Sequence, residues 1–447
     1  MQGLEVTLER KRYTRIWVAI LVFSVITRLG IALYYGNWVP TEQDEYSYST
    51  LGLRLATGHG YTFDRAWYPF TPAETPTAHW SFLYTAFIAA IYTLVGFQPV
   101  AVRLVGAILG GLLLPWMSAR LAYRLFPYRP WTPLVTALCT AGYAFFALFA
   151  ASIMTETFYI IALLWSLERA LALAENFTMG QPPNLSAALG LGVSLGLAAL
   201  FRQAILPWVP VLFGWLLWQA WRGNARTFIR LYLPTLFFAG ITLLAFILPW
   251  TYRNYRVYGD FLLLNSNTGY AMYSAQHPMH GTQFQAFTAA PLPEELWGKA
   301  LTEVEWDRAL MRQGIEFILD EPERYLRLSL SRVADYFEFW PTDTTLLHNA
   351  GRLLSFTLFL PFMLYGLYLG GQSTHQQIGT SQNVPPTSRI RHPITLPFLF
   401  MAFYTLLHIF TWAMPRYRLP VDATAMPFAA LALERVFLHL RKWVRSV

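Results

Sequence analysis

The chain has 447 residues, 55% of them hydrophobic, and only 13% are Asp, Glu, Lys or Arg, about half the share usual in soluble domains. With 17% aromatic residues and several apolar runs of roughly 20 residues, enough to cross a bilayer, it reads as an all-α polytopic membrane protein and excludes a water-soluble enzyme. The net charge of +8 does not point to nucleic acid, because the basic residues fall in short clusters between apolar runs, as the positive-inside rule places them. A lone cysteine, Cys139, excludes an intrachain disulfide and a thiolate metal cluster.

Arg10, Lys11, Arg12 and Arg15 precede the first apolar run, 16–35, with no clear small-residue cleavage site. This reads as a retained signal anchor with its N-terminus in the cytoplasm. Further spans are expected at 100–125, 131–150, 156–174, 185–201, 205–221, 228–250, 353–370, 394–412 and 419–438, about ten in all. One more apolar segment, 80–96, decides the orientation of everything after it. Held along the interface, it leaves Arg120, Arg124, Arg129, Arg222, Arg226, Arg230, Arg389, Arg391, Arg441, Lys442 and Arg445 cytoplasmic; as a span, it turns them all outward. The first option obeys the positive-inside rule and keeps both termini inside.

The chain then divides into an N-terminal transmembrane module, 1–250, carrying a first extracytoplasmic loop, 36–99; an extracytoplasmic helical loop region, 251–349; and C-terminal transmembrane helices, 350–447. The second loop is too long for a passive connection. Helices are expected within it at 293–319 and 322–339, from their starting prolines and the spacing of Leu296, Ala300 and Val304, and of Tyr325, Leu328 and Tyr336. The polar segment 371–393 reads as a mobile cytoplasmic loop. Sequons at Asn176 and Asn184 fall on the cytoplasmic side, where glycosylation is not expected.

Asp44 and Glu45 follow the first span at the outer boundary, where a partly screened carboxylate can take a proton from an attacking hydroxyl. An acidic pair alone more commonly just solvates a loop. Glu156 opens another outward helix behind Thr155; it serves equally as a partner for the helix dipole or as a group that positions a sugar hydroxyl. Arg103, Arg202, Arg253, Arg416 and Arg418 sit at outer ends of spans, where basic residues should be scarce. One such arginine is explained by snorkelling to head groups, but several converging guanidiniums would hold phosphate and stabilise a departing one. His59, His79, His277 and His280 match no zinc spacing, and no Asp-x-Asp is present; no cofactor is expected, and a divalent metal has no motif to support it. Tyr46, Tyr61, Trp67 and Trp80 are candidates for stacking on a sugar ring.

The run from Asp44-Glu45-Tyr-Ser-Tyr through Leu55-Ala-Thr-Gly-His-Gly-Tyr61 resembles the first outer loop of polyprenyl-phosphate-dependent GT-C glycosyltransferases, the group of protein O-mannosyltransferases and the lipid A aminoarabinose transferase. Ile91-Tyr-Thr-Leu-Val-Gly96 with Arg103, Thr155-Glu156, Leu200-Phe-Arg202, Pro249-Trp-Thr-Tyr-Arg253-Asn254-Tyr with Gly259, Gly269, and Arg416-Tyr-Arg418-Leu-Pro420 resemble later blocks in the same order. Each block is degenerate; their order over nearly the whole chain carries the likeness.

This resemblance implies a GT-C bundle with juxtamembrane helices in the first outer loop and a cavity open to the outer leaflet. It implies Asp44 as the catalytic carboxylate with Glu45 beside it as the second catalytic residue of the Asp-Glu motif, and Glu156, Arg103, Arg202, Arg253, Asn254, Arg416, Arg418 and His79 as substrate contacts. Where many relatives carry two prolines after a Lys or His, this chain reads His79-Trp80-Ser81. The expected activity is inverting transfer of a sugar from a polyprenyl-phosphate donor to a protein, glycolipid or polysaccharide acceptor, outside a bacterial or archaeal plasma membrane. The alternatives are a catalytically silent subunit of a membrane complex and a lipid-linked sugar transporter.

Overall fold

A computed structural model describes residues 2–41, 44–178, 181, 184–221, 228–286, 288–342, 345–379 and 393–446. Arg222, Arg226, Arg389, Arg391 and most of the expected 371–393 loop lie outside the described residues. Helix α1 (Gln2–Tyr35) leads into a first large loop carrying α2 (Asp44–Ala56) and α3 (Phe82–Val95). Then come α4 (Pro99–Leu125), α5 (Thr132–Gly142), α6 (Ala144–Ala150), α7 (Glu156–Thr178), α8 (Leu185–Phe201), α9 (Trp208–Trp221) and α10 (Leu233–Tyr258). A second large loop holds α11 (Thr268–Gln276), α12 (Glu303–Asp320) and α13 (Pro322–Tyr336). Four helices follow: α14 (Leu346–Arg352), α15 (Leu358–Gly379), α16 (Thr395–Phe410) and α17 (Leu419–Ser446). The described residues form no strand, only isolated bridges between Thr62 and Pro76 and between Trp67 and Thr71.

Among the described residues, six helical stretches are long and apolar enough to cross a bilayer: Lys11–Tyr35, Pro99–Leu125, Glu156–Thr178, Gln203–Trp221, Ile229–Tyr258 and His348–Gln372. The bent pair α5 and α6 makes a seventh if taken as one span. The other three expected crossings fall on α8, α16 and α17. With 14 residues, α3 rises only about 21 Å, short of a hydrocarbon core of about 30 Å. It packs on α2, where a Cβ at Gly52 would collide with the Ile88 side chain.

Small residues let the long helices approach closely. Gly106 and Gly110, one turn apart on α4, face Ala150 and Thr157, and Gly192 and Gly196 on α8 face Ala239, Thr242 and Phe246 of α10. Lipid offers no hydrophobic gain on association, so such close backbone approach supplies much of the packing energy.

The expected single span 131–150 is broken by 64° at Tyr143. Buried Arg28 of α1 explains how the break is tolerated: its Nη1 donates to the Ala141 carbonyl (3.2 Å) and its Nη2 to that of Thr140 (3.4 Å). On the other side, the Phe145 N–H donates to Ser355 Oγ (2.8 Å). Backbone groups freed inside the bundle are thus satisfied by protein rather than lost to lipid. The chain then turns through α6 and 151–155 to deliver Glu156.

Other boundaries differ from expectation as well: α15 continues to Gly379, into the expected loop, and α13 ends at Tyr336. The 228–250 span continues to Tyr258 and stops at Gly259, whose φ of 70° suits a residue without a Cβ, so Arg253 and Asn254 lie on the helix end. The helix expected from 293 starts instead at Glu303, because a capping box between Thr302 and Glu305 fixes its first turn; Glu294–Leu296 is a 3-10 turn.

Candidate active site

The site is assembled from element ends. Asp44 and Glu45 open α2, where the helix dipole favours negative charge. Arg103, in the first turns of α4 and fully buried, donates through Nη2 to Glu45 Oε2 (2.7 Å) and to the Trp38 carbonyl (2.8 Å), and through Nη1 to the Ala151 carbonyl (3.2 Å). Its guanidinium also lies 5.1 Å from the centre of the Tyr35 ring. Burial pushes the Glu45 carboxyl up; Arg103 pulls it back only in part, and nearby Glu156 pushes it further up.

Glu156 opens α7 and is buried. Its Oε1 accepts from Arg202 Nη1 (2.7 Å), while Oε2 has no hydrogen-bond partner. Arg202 follows the last residue of α8 and lies 5.1 Å from the Tyr417 ring centre. The same ring has the Arg416 guanidinium at 5.3 Å and stacks on His408 at 4.9 Å. Arg416 in turn reaches back to α2, with Nη2 2.8 Å from Asp44 Oδ2.

Three carboxylate–guanidinium pairs therefore converge, and Tyr417 links two of them. Tyr48, one turn along α2, lies in the field of Asp44, Glu156 and Arg202; burial pushes its phenol up to about 12. Exposure grades across the cluster. Arg103 and Glu156 side chains are at 0% and 2%, whereas Asp44 and Arg416 are at 29% and 26%. The Asp44–Arg416 pair is thus the end open to a reactant.

The remaining expected contacts go elsewhere. Arg253 donates to the Thr77 carbonyl (2.9 Å) and lies 4.6 Å from the Trp250 ring centre and 5.8 Å from that of Tyr61. Asn254, near the end of α10, is buried and donates to the carbonyls of Leu262 and Leu264 in the segment that follows. Arg418 is fully buried; it pairs with Asp422 (3.1 Å), donates to the Tyr336 carbonyl (2.6 Å) and covers the Phe356 ring. Asn254 and Arg418 are therefore occupied in holding the fold, because a buried amide and a buried charge are stable only when paired. His79 is buried among Tyr68, Phe70, Trp80 and Tyr270; burial pushes its pKa down while Glu303 pulls it up.

Glu303, which sequence reasoning missed, binds the two large loops together. Its Oε1 accepts from Thr71 Oγ1 (2.7 Å), and its Oε2 from Ala78 N (2.7 Å), Ser266 Oγ (2.9 Å) and Tyr258 OH (3.3 Å). Tyr417 was missed as an individual residue although it stands between Arg416 and Arg418. Of the aromatics considered for sugar stacking, Tyr46 and Trp67 stack on each other (5.0 Å) beneath Arg65, beside the acidic start of α2. Among the described residues, no three His, Cys, Asp or Glu side chains are grouped so as to hold a metal.

The chain superposes on the archaeal oligosaccharyltransferase AglB from Archaeoglobus fulgidus, solved in complex with an inhibitory peptide and a dolichol-phosphate. The TM-score is 0.57 at 15% identity, over 97% of this chain and 52% of that one. The fold is GT-C-like. ArnT from Cupriavidus metallidurans, bound to undecaprenyl phosphate, also matches, with a TM-score of 0.48 and 17% identity over 94% of this chain and 60% of that one. The chain thus spans about half to three fifths of the length of these neighbours. No family model and no curated protein matches it.

Proposed function

We propose that this integral membrane protein is a glycosyltransferase that moves one sugar from a polyprenyl phosphate to an acceptor on the extracytoplasmic side, with inversion at the anomeric carbon. The observation that carries the reading is the convergence of Asp44, Glu45 and Glu156 with Arg416, Arg103 and Arg202 at the ends of elements from across the chain. The GT-C-like fold supports it, as does the dolichol-phosphate named in the AglB structure.

In this reading Arg416 exchanges partners. Bonded to Asp44 in the structure, it turns to the phosphate oxygen of the donor and leaves Asp44 free to accept a proton. The acceptor oxygen attacks the anomeric carbon as its O–H proton passes to Asp44, and the bond from that carbon to the phosphate oxygen breaks. Arg416 and Arg202 stabilise the charge gathering on the departing polyprenyl phosphate, in a water-poor site where such bonds are strong. The free Oε2 of Glu156 accepts a hydroxyl of the sugar. Positioning and electrostatics then carry most of the rate.

The test is single-turnover transfer from a radiolabelled polyprenyl-phosphate sugar by the purified protein. Asp44→Asn keeps the size of the side chain and removes the base, so transfer should fall by about a hundredfold or more with donor binding and melting temperature preserved. A well-folded Asn variant with undiminished transfer would sink the assignment. No transfer by the wild type, with donor still bound, would favour a transporter or a silent subunit.

A further inference from the structure

The helices that carry the candidate active site hold a second charged cluster at their other ends. Along α4, Arg120 and Arg124 lie about 26 and 32 Å of helix rise beyond Arg103. Along α7, Glu168 and Glu175 lie about 18 and 28 Å beyond Glu156. The two clusters therefore face opposite sides of the membrane.

Glu168 is buried and serves three guanidiniums. Its Oε1 accepts from Arg120 Nη2 (3.1 Å), Arg124 Nε (3.1 Å) and Arg169 Nη2 (2.6 Å), and its Oε2 from Arg169 Nε. Arg124 also pairs with Glu175 (2.8 Å). Three arginines thus face two glutamates. Lys11, Arg12 and Arg15 add to the excess from α1, where they flank Tyr13. At this cluster lies an open hollow of about 350 Å³, lined by Tyr13, Trp17, Trp116 and Tyr123 together with Arg120, Arg124 and Glu168, whose carboxylate is already held by the arginines.

Arg120 stands at the rim. Its side chain is 40% exposed and its guanidinium lies 5.4 Å from the Trp116 ring centre. Its bond to Glu168 occupies one of five N–H donors, and the others have no protein acceptor among the described residues. A free anion would need only the cations. The hollow adds amphipathic aromatics, of which Tyr13, Trp116 and Tyr123 are 38%, 42% and 61% exposed, and such rings sit at the level of lipid head groups and glycerol.

We propose that this hollow is a binding site for the phosphodiester head group of an anionic phospholipid, on the face of the membrane opposite Asp44. Arg120 and Arg124 hold the phosphate, offsetting the surplus positive charge, while Trp116 and Tyr123 pack against the glycerol and the first acyl carbons. Basic pockets between membrane helices recognise anionic head groups in this way.

Titrating the full-length protein in detergent, with its tryptophan fluorescence as readout, tests the site. Short-chain phosphatidylglycerol should give a saturable change that short-chain phosphatidylcholine and inorganic phosphate do not give at the same concentrations. Arg120→Gln should weaken phosphatidylglycerol binding about fivefold, the loss of one basic residue near an anionic head group. Tyr123→Ala leaves every ion pair intact and should also weaken binding, so it decides the matter if Arg120→Gln does not melt like the wild type. Arg416→Gln, at the opposite face, should leave the affinity unchanged. Equal binding of phosphatidylcholine, an equal response to inorganic phosphate, or unaltered affinity in Tyr123→Ala and in a folded Arg120→Gln would each overturn the proposal. So would loss of binding in Arg416→Gln.

Discussion

Arg416 Nη2 lies 2.8 Å from Asp44 Oδ2, and the same arginine lies over Tyr417, the ring that Arg202 also covers. A cation shared in this way can release one partner for another without leaving its seat. Arg416→Gln should therefore weaken binding of polyprenyl phosphate by about tenfold to a hundredfold, the worth of a hydrogen bond to a charged group. Equilibrium binding of a radiolabelled polyprenyl phosphate, set against Asp44→Asn as the variant that retains affinity, checks this. Equal affinity in wild type and Arg416→Gln would remove the arginine from the donor site.

Glu156 and Arg202 form a pair more enclosed than Asp44 and Arg416, with side-chain exposures of 2% and 21%. Removing one member leaves the other charge without its partner, so Glu156→Gln and Arg202→Met should each destabilise the protein by about 3–5 kcal/mol. The double variant should cost clearly less than the sum. Melting of the four proteins in one detergent measures the coupling, and strict additivity would mean that the contact has no energetic weight.

Glu303 collects four donors from both large loops. Glu303→Ala leaves the Ala78 N–H and the Thr71 and Ser266 hydroxyls without this acceptor, at about 1–3 kcal/mol for each buried group. The loops should loosen before the membrane bundle does. Limited proteolysis should then cut within 57–81 or 259–302 in the variant under conditions that spare the wild type; identical cleavage patterns would argue against the clasp.

Asp307 supplies a pH dependence. Its Oδ1 accepts from the Gly269 N–H (2.7 Å), yet burial outweighs that bond and raises the carboxyl from its ordinary 3.8 to about 6. The folded loop thus holds this proton more tightly than the unfolded chain. The resulting stability is fully present below about pH 3.8 and is lost as pH rises through about 6. Amide exchange in α11 and α12 should accelerate between pH 4 and 7, after correction for intrinsic exchange. Asp307→Asn keeps the acceptor and should flatten that trend; an unchanged trend would assign it to another group.

What could be read from the sequence follows from the range of each signal. Arg103, Arg202 and Arg416 stood out because each breaks a charge rule that operates locally, at the end of a span, and the structure brings them to Asp44, Glu45 and Glu156. The same rule could not separate Arg416 from Arg418, two residues apart, because only the packing around Asp422 and Tyr336 turns Arg418 inward. Tyr417 is one of 25 tyrosines with no pattern to mark it. Glu303 draws its partners from distant segments, and its neighbour Thr302 announces a helix start but nothing of the clasp. The break at Tyr143 follows Gly142, a local hint, but what sustains it is Arg28 and Ser355, far away in the chain.

Charged groups at both ends of α4 make that helix a ruler. Arg103 is fixed at one end by Glu45 and two carbonyls, Arg120 and Arg124 at the other by Glu168 and Glu175, and the rod between them measures about 26–32 Å. A bilayer whose oily interior departs from that span must thin, thicken or tilt the rod, at a fraction of a kcal/mol for each ångström. The thickness of the host membrane is thereby coupled to how squarely Glu45 and the carboxylates beside it are held at its surface.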